Sequence, residues 1–451
     1  MTASEQLAQF AAGSKALPKL CREYKKERAT VHLKELVGGA LSFYAAAAVA
    51  KTGGVHIFVA EDRDAAAYLL NDFYNLLDEK QVYFFPSSYK RSAAYGAEDA
   101  QGVVQRTAAM NAVRGFTKGY LVVCTYPEAL AERVVDAATL QRDTIAVKLG
   151  DKISIAVLED ALADANFTRV DFVYEPGQYS VRGGIVDVFS YSESKPYRID
   201  FFGDEVDSIR RFNISSQLSA DKLDRVEIIP NLNAGEAPRV SFVQFAGSSA
   251  ACWFYDADYV LRRVNDLRRK VLADMENPGQ IDRLLTSRNV LLRDMAGNSV
   301  VALRDNLPER PATAAVVFDT APQPKFNKNF EMLADDMIRN SLRGYATYIL
   351  SENKVQVERL ENIFHQIGRG QAAVRSLSVT LHEGFVDNDL KLCLYTDHQI
   401  FDRYQRYRIN GEIRRDEQMT VAELNQLRPG DYVVHIDHGV GRFDEIGRAH
   451  V

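Results

Sequence analysis

The sequence predicts an α/β protein with several domains. Its 451 residues suffice for about three domains of ordinary size. Residues 55–60 (VHIFVA) and 121–125 (LVVCT) are continuous apolar runs, which are typical of parallel strands that helices cover on both faces. Strand and helix patterns alternate over residues 31–135 and again from residue 314 onwards. We therefore expect two α/β layers, with the remaining chain forming other modules.

Composition limits the functional classes. The net charge is −6, so the protein as a whole does not attract nucleic acid, and a DNA contact requires a local basic patch. No apolar run has the length of a membrane span and the first residues lack a signal-peptide pattern, which indicates a cytoplasmic protein. The cysteines are widely spaced, so we expect core residues and neither a zinc site nor disulfides. They are Cys21, Cys124, Cys252 and Cys393.

The first α/β layer contains a possible phosphate-loop position. Gly38 and Gly39 follow a strand pattern and precede a helical pattern at residues 40–50. A phosphate loop needs GxxxxGK[ST], because backbone N–H groups, the lysine and the hydroxyl hold the phosphates and magnesium. No Gly-Lys pair occurs in the chain, so we predict no bound nucleotide or other cofactor. We interpret the glycines as a tight turn or a close packing contact, with anion binding at the helix start as the alternative.

The middle of the chain predicts a small antiparallel sheet. Extended patterns cover residues 178–181, 185–189 and 196–202, and a turn at Gly203 leads into a return strand at residues 205–209. In the third pattern apolar and charged residues alternate, so one face of this strand is predicted to be buried.

The pair Gly183-Gly184 lies between the first two of these patterns. Paired glycines inside a strand pattern predict a β-bulge or a close backbone approach. Unbroken alternation would place Arg182 on the same face as Val186 and Val188, whereas a bulge would turn its side chain outward. Residue type alone favours a solvent-facing arginine on an ordinary sheet. We therefore expect Arg182 to point away from the core.

The second α/β layer begins at residue 314. A strand pattern at residues 314–320 is followed by a helix at 329–341, a strand at 346–351 and a helix at 354–366. These βα units predict a separate small domain, to which no chemistry is assigned.

The string YSVRGGIVDVF at residues 179–189, followed by PYRIDFFGDEVDSIRRF at 196–212, resembles the second domain of the transcription-repair coupling factors. That domain in turn resembles domain 2 of the excision-repair protein UvrB. In this family the module binds UvrA through basic and aromatic residues of its sheet. The resemblance implies Arg182 as the main UvrA contact, with Arg169 and Phe189 as weaker ones. Ser180 stands where the UvrB pattern has a second arginine, so one contact is expected to be missing here.

The resemblance also implies a domain layout. Residues 1–142 and 230–312 correspond to the two parts of a degenerate P-loop-type (RecA-like) α/β domain whose nucleotide site is lost. Residues 143–229 form the UvrA-binding α+β domain, which is inserted between these two parts. Residues 313–400 correspond to the small α/β domain, and residues 401–426 form a basic linker.

The end of the chain resembles another module of the same family. LRPGDYVVHIDHGVGRF at residues 427–443 is similar to the start of the RNA-polymerase-interaction domain, an SH3/Tudor-like β module that CarD-type regulators share. The resemblance implies docking on the RNA polymerase β subunit. We expect residues 427–451 to be a truncated module, because more strands are needed to close such a barrel and residues 445–451 depart from the family pattern.

Two further motifs receive structural interpretations. Asp204-Glu205-Val206-Asp207 superficially matches a helicase DExD box, but it follows the turn at Gly203, so we interpret it as turn chemistry. His435 and His438 have no third ligand nearby, so no metal site is predicted.

Basic segments are the remaining candidates for nucleic-acid contact. Arg403, Arg406 and Arg408 alternate with tyrosines and are weak DNA-binding candidates, although a solvated linker explains them as well and is favoured. The helical pattern at residues 259–275 has a basic face, which we also interpret as solvated.

These observations predict a recruiting protein and no enzyme within this chain. The resemblance implies the N-terminal part of a transcription-repair coupling factor, which brings UvrA to RNA polymerase stalled at a DNA lesion. In that family an ATP- and magnesium-dependent DNA translocase lies in the C-terminal part, which also makes most of the DNA contacts. The alternatives are a UvrB-like repair enzyme with its own ATPase, which the missing phosphate loop disfavours, and a CarD-like regulator, which explains only the last 25 residues.

Overall fold

The computed structural model describes residues 2–89, 99–214, 216–233, 237–275, 277–403 and 405, together with the backbone of four short strands between residues 408 and 442. The chain forms two compact units, Met1–Gln405 and Arg406–Val451.

A seven-stranded parallel sheet forms the centre of the first unit. Its two predicted apolar strands are neighbours, and Ile57 pairs with Val123 where both side chains are fully buried. This confirms the predicted parallel α/β layer. In order across the sheet the strands are Ala314–Val317, Thr30–Lys34, Ser299–Ala302, Ala251–Phe254, Gly54–Val59, Tyr120–Thr125 and Val82–Phe84.

Helices surround this sheet because the apolar strands need cover on both faces. The first two, Ala3–Ala12 and Ala16–Tyr24, lie upstream of the predicted layer, and a capping box of Thr2 and Glu5 starts the first one. The other helices of this domain are Ala40–Thr52, Arg63–Leu76, Ala100–Gly115, Pro127–Ala131, Ala137–Asp143, Phe242–Ala246, Ala257–Asp274, Ile281–Leu284 and Arg288–Asp294. Short 3-10 turns are Glu79–Gln81, Pro278–Gln280 and Met295–Gly297.

The strand Ala314–Val317 corrects the predicted domain boundary. We expected it to open the separate small domain, but it pairs in parallel with Thr30–Lys34 at the edge of the central sheet. Buried Val316 lies opposite buried Leu33, and Thr313 donates its hydroxyl to the carbonyl of Thr30 at 3.0 Å. A local sequence pattern predicts that a segment is a strand but does not predict which other strand it pairs with. The domain to which residues 314–317 belong was therefore decided by the tertiary structure.

A smaller module is inserted into this domain. Ile145–Lys148 pairs antiparallel with Arg225–Ile228, which brings the entry and exit of the module together. The chain then returns to the central sheet through Ala251–Phe254 and Ser299–Ala302, and Val134–Val135 pairs with Arg239–Val240 at the junction.

The module is a six-stranded sheet covered on one face by the helix Ile155–Asp164. Leu158 and Leu162 of this helix pack on the sheet, as the amphipathic pattern requires. The strands are Thr168–Arg169, Gln178–Arg182, Ile185–Val188, Tyr197–Phe202, Glu205–Phe212 and Ser219–Leu223, and the predicted antiparallel sheet is therefore present.

A third, five-stranded mixed sheet follows residue 319. The predicted helices are found at Phe330–Leu342 and Lys354–Gln366, with the short helix Asp397–Ile400 after them. The strands in order across the sheet are Thr320–Pro322, Phe385–Asp387, Leu392–Thr396, Ala346–Leu350 and Ser376–Leu377.

The second unit is described only as two antiparallel strand pairs. Arg408–Ile409 pairs with Glu412–Ile413, and Tyr432–His435 pairs with Gly439–Arg442. The second pair lies in the segment that resembles the start of a β module. The side chains of Arg406, Arg408, His435 and His438 lie outside the described residues.

All four cysteines are free and buried, which confirms their predicted core positions. Within the described parts of the chain no helix is long and apolar enough to cross a bilayer. The same residues contain no group of three or more histidine, cysteine or acidic side chains suited to a metal ion.

Candidate functional site

The Gly183-Gly184 pair forms a two-residue hairpin turn. Arg182 pairs with Ile185, Val181 with Val186 and Tyr179 with Val188, without a register shift. The first predicted alternative, a bulge, is therefore wrong. The second, a close backbone approach, is confirmed, because the backbone N–H of Phe201 donates to the Gly184 carbonyl at 2.8 Å and the Phe201 carbonyl lies 3.0 Å from the place of a Cβ on Gly184. Gly183 has φ +59°, and two-residue hairpins favour such glycines because their turns need positive φ.

The hairpin nevertheless places Arg182 outside the core. Residues that face each other across a hairpin share a face, so Val181 lies with Val186 on the face that the helix covers. The next positions, Arg182 and Ser180, share the opposite face with Asp187. Arg182 therefore points away from the core, as predicted, because the chain reverses at the two-residue turn that follows it.

The carboxylate of Asp187 holds two arginines on this outer face. Asp187 is buried and accepts a hydrogen bond from Arg182 Nη2 at 2.5 Å. Arg198 Nε and Nη2 bind its two oxygens at 2.7 and 2.8 Å, and the hydrogen bond with Asp187 raises the pKa of Arg198. The exposed fractions of the side chains are 37% for Arg182 and 15% for Arg198. A buried carboxylate needs such partners, so it fixes both guanidinium groups in place.

The charges continue across the neighbouring strands. Arg210 lies opposite Arg198 and Lys222 lies opposite Arg210 in the strand register. Asp200 forms an ion pair with Arg210. We call this set the basic face: Arg182, Arg198, Arg210 and Lys222 with Asp187 and Asp200. Its four cations exceed its two carboxylates, so it favours an acidic partner surface.

Exposed aromatic rings accompany these charges in the same module. Phe202, at the end of the hairpin Tyr197–Phe202 and Glu205–Phe212, is 84% exposed, whereas its neighbour Phe201 packs against the module core. Phe172 is 48% exposed, and its ring centroid lies 4.8 Å from the Arg182 guanidinium carbon. Aromatic residues beside arginines are typical of protein interface centres.

The structure separates the other two predicted contacts from Arg182. Arg169 lies opposite Tyr179 in the register, on the face that the helix covers, and it binds Glu159 of that helix at 2.5 Å. Phe189 is only 5% exposed, so its ring cannot contact a docked protein without rearrangement. The backbone N–H of Phe189 donates to Gln178, which shows that this residue completes the sheet. The burial of Phe189 thus corrects its assignment to a structural role. The Arg169 side chain is 60% exposed despite its ion pair, so its contact with UvrA stays a prediction.

Sequence analysis did not select Arg198, Phe172 or Phe202 for this site. The alternation in residues 198–202 (RIDFF) could have indicated Arg198 and Phe202. If Phe201 points inward, both of these residues lie on the opposite face of the strand. Phe172 lies in a loop between strands and has no comparable periodic signal.

Of the three weak DNA-binding candidates, the structure describes the side chain of Arg403. Arg403 is exposed, donates to Asp397 at 3.2 Å and lies 5.2 Å from the Phe401 ring. The side chains of Arg406 and Arg408 fall outside the described residues, so this DNA contact stays a prediction.

The phosphate-loop position is filled by another part of the chain. The carbonyl oxygen of Glu383, next to the third sheet, overlaps the place that a Cβ on Gly39 would take. The Glu383 carboxylate is 3.3 Å from the corresponding place on Gly38, whose φ is +55°. The glycines are thus used for a turn and for close packing, as predicted, and a carboxylate lies beside the helix start where an anion would bind.

The pocket that surrounds this turn carries acidic side chains. It has a volume of about 340 Å³, and its described lining includes Glu61, Asp72 and Glu383 and no lysine or arginine. Asp72 accepts hydrogen bonds from Ser42 Oγ at 2.6 Å and from the backbone N of His382 at 2.7 Å. Burial raises the pKa of Asp72 to about 7.

A family model described as the UvrB interaction domain matches residues 145–233, which contain the inserted module. A second model, described as the CarD-like/TRCF RID domain, matches residues 427–451.

Curated relatives give the same result over most of the chain. The transcription-repair-coupling factors of Bacillus subtilis (strain 168) and Escherichia coli (strain K12) are each 23% identical, with 91% of this chain and 41% of the relative covered. That of Staphylococcus epidermidis (strain ATCC 35984) is 22% identical, with 82% of this chain and 38% of the relative covered. The chain thus spans about two fifths of the length of these relatives. The comparisons confirm the resemblance to transcription-repair coupling factors.

The packing at Gly39 predicts the effect of one methyl group. We expect Gly39→Ala to lower the free energy of unfolding by about 1–3 kcal/mol, because its Cβ would overlap the carbonyl of Glu383. Urea unfolding measures this change. The matched control is Gly115→Ala, since a Cβ at Gly115 meets no atom within 4 Å. Equal stabilities of the two variants would contradict the close contact.

The buried carboxyl of Asp72 predicts a pH dependence. Its pKa is about 7 in the fold and about 4 in an unfolded chain, so between these values the folded state keeps a proton that the unfolded state has lost. Its contribution to stability is present at low pH and is lost as the pH rises towards 7. Asp72→Asn stays neutral and should therefore lose less stability than the parent chain between about pH 4 and about pH 7. Urea titrations over this range test it, and parallel stability profiles would refute it.

Proposed function

We propose that this chain recruits UvrA to RNA polymerase stalled at DNA lesions, as the N-terminal part of a transcription-repair coupling factor, and that the basic face is its UvrA-docking surface. One observation carries the proposal. The module that matches the UvrB interaction domain presents Arg182 and Arg198 on its outer face, both held by the buried Asp187. This function belongs in the cytoplasm, where transcription and repair of a bacterial chromosome take place.

The geometry suits recognition of an acidic protein surface. The two guanidinium groups are positioned before binding, so less side-chain entropy is lost when a partner docks. The excess of cations on the face attracts carboxylates, and the exposed Phe202 and Phe172 supply apolar contact area.

The proposed scaffold for this surface is a RecA-like domain without nucleotide chemistry. The parallel sheet and the strand-turn-helix at Gly38 and Gly39 support this assignment. The backbone of Glu383 occupies the space that a phosphate would need, and its carboxylate would repel the phosphate charge. We therefore assign no enzyme activity and no cofactor to this chain. ATP and magnesium belong to the translocase part of the full-length protein, together with most DNA contacts.

A second proposed contact lies at the end of the chain. The strand pair Tyr432–His435 and Gly439–Arg442 falls within the match to the CarD-like/TRCF RID domain, which supports the start of an SH3/Tudor-like module that docks on the RNA polymerase β subunit. A CarD-like regulator would leave the UvrB interaction domain unexplained, and a UvrB-like ATPase would require a phosphate loop.

Arg182→Ala tests the docking surface. We expect the Kd for purified UvrA to rise about tenfold or more in a calorimetric titration, because a charge-assisted contact in an interface contributes roughly 1.5–3 kcal/mol. The fold should persist, since Arg198 still binds Asp187. The control is Arg262→Ala, which removes an exposed arginine that pairs with Asp258 on the central domain. An unchanged Kd for Arg182→Ala would reject the assignment.

Nucleotide binding tests the scaffold. We expect ATP with magnesium, at about 1 mM, to leave the Tm of this chain unchanged, because a ligand raises the Tm only when it binds the folded state. Equilibrium dialysis with labelled ATP should show no saturable binding. Saturable binding that is lost in a Gly39→Val variant would contradict the filled phosphate-loop position.

A further inference from the structure

The loop before the strand Gln178–Arg182 is held in a defined conformation. Val173 is buried, and the residues on either side of it, Phe172 and Tyr174, are exposed. The Gln178 side-chain oxygen accepts hydrogen bonds from the backbone N–H groups of Tyr174 at 2.9 Å and Glu175 at 3.1 Å. The loop therefore presents its aromatic rings from a backbone that hydrogen bonds keep in place.

Ser180 fixes the same loop from the sheet. It is buried, and its hydroxyl donates to the backbone carbonyl of Asp171 at 2.8 Å. Asp171 directly precedes Phe172, whose ring centroid lies 4.8 Å from the guanidinium carbon of Arg182. The serine at this position thus holds the segment that places an aromatic ring against Arg182.

We propose that Phe172 is a second contact residue of the basic face, and that the ring and the Arg182 guanidinium bind one partner feature together. The inference rests on the proposed docking function. It specifies the partner chemistry: a carboxylate that Arg182 binds, next to an apolar patch that covers Phe172.

The geometry of Arg182 supports a shared contact. Its Nη2 donates to Asp187, and no other hydrogen bond of this side chain occurs within the described residues. Nε and Nη1 can therefore donate to a partner carboxylate. The ring of Phe172 restrains the guanidinium by a cation–π contact that strengthens when a docked protein excludes water. Loss of either side chain should weaken the contribution of the other.

A double-mutant cycle against purified UvrA tests the inference. The variants are Phe172→Ala, Arg182→Ala and the double variant, each in the full 451-residue chain. We expect Phe172→Ala to raise the Kd about fivefold or more, and the double variant to bind more tightly than the product of the two single effects predicts. Phe172→Leu keeps apolar area without the cation–π contact and should give an intermediate Kd. Val157→Ser, an exposed apolar position on the helix side of the module, is the matched control.

Salt dependence distinguishes the two side chains. Arg182→Ala should reduce the dependence of Kd on NaCl concentration more than Phe172→Ala does, because the ring itself carries no charge and acts on this dependence only through Arg182. Unfolding in urea confirms that each variant retains its fold.

The outcomes separate this inference from the docking function. If Arg182→Ala weakens binding and Phe172→Ala does not, the role of Phe172 is wrong and the docking function stands. If both weaken binding and their effects multiply, the shared contact is wrong. If neither changes the Kd, the docking function itself fails.

Discussion

One buried carboxylate, that of Asp187, organises the outer face of the inserted module. A carboxylate removed from water requires cationic partners, and Asp187 obtains them from the two neighbouring strands. The same ion pairs that stabilise the sheet therefore position Arg182 and Arg198 for contact with another protein. Because the opposite face is covered by the helix Ile155–Asp164, this outer face is the one on which the module can display charge.

The module is attached to a scaffold that keeps it in a defined place. Its entry and exit strands, Ile145–Lys148 and Arg225–Ile228, pair with each other, so a short junction joins it to the central domain. Arg114 of the central domain binds Glu227 of the module at 2.6 Å across this junction. A docking surface held in this way loses little conformational entropy when it binds a partner, which favours binding.

The turn at Gly38 and Gly39 joins the central domain to the third sheet. A strand-turn-helix at the carboxyl edge of a parallel sheet is a common ligand position. Here Gly39 instead receives the backbone of Glu383, and Asp72 receives the N–H of His382, so the same position joins the central domain to the third sheet. Glycine permits the close approach in either use.

The sequence by itself determined the parallel layer, the antiparallel module with its buried alternation, and the absence of a Gly-Lys pair, because these follow from local periodicity and residue type. It also placed Arg182 on the face away from the core. Tertiary structure decided the partner of Ala314–Val317, the hairpin at Gly183-Gly184 and the burial of Phe189. It alone brought Phe172 against Arg182 and Glu383 against Gly39. These contacts join residues on different elements, and a local pattern specifies which face a side chain lies on but not which distant group meets it there.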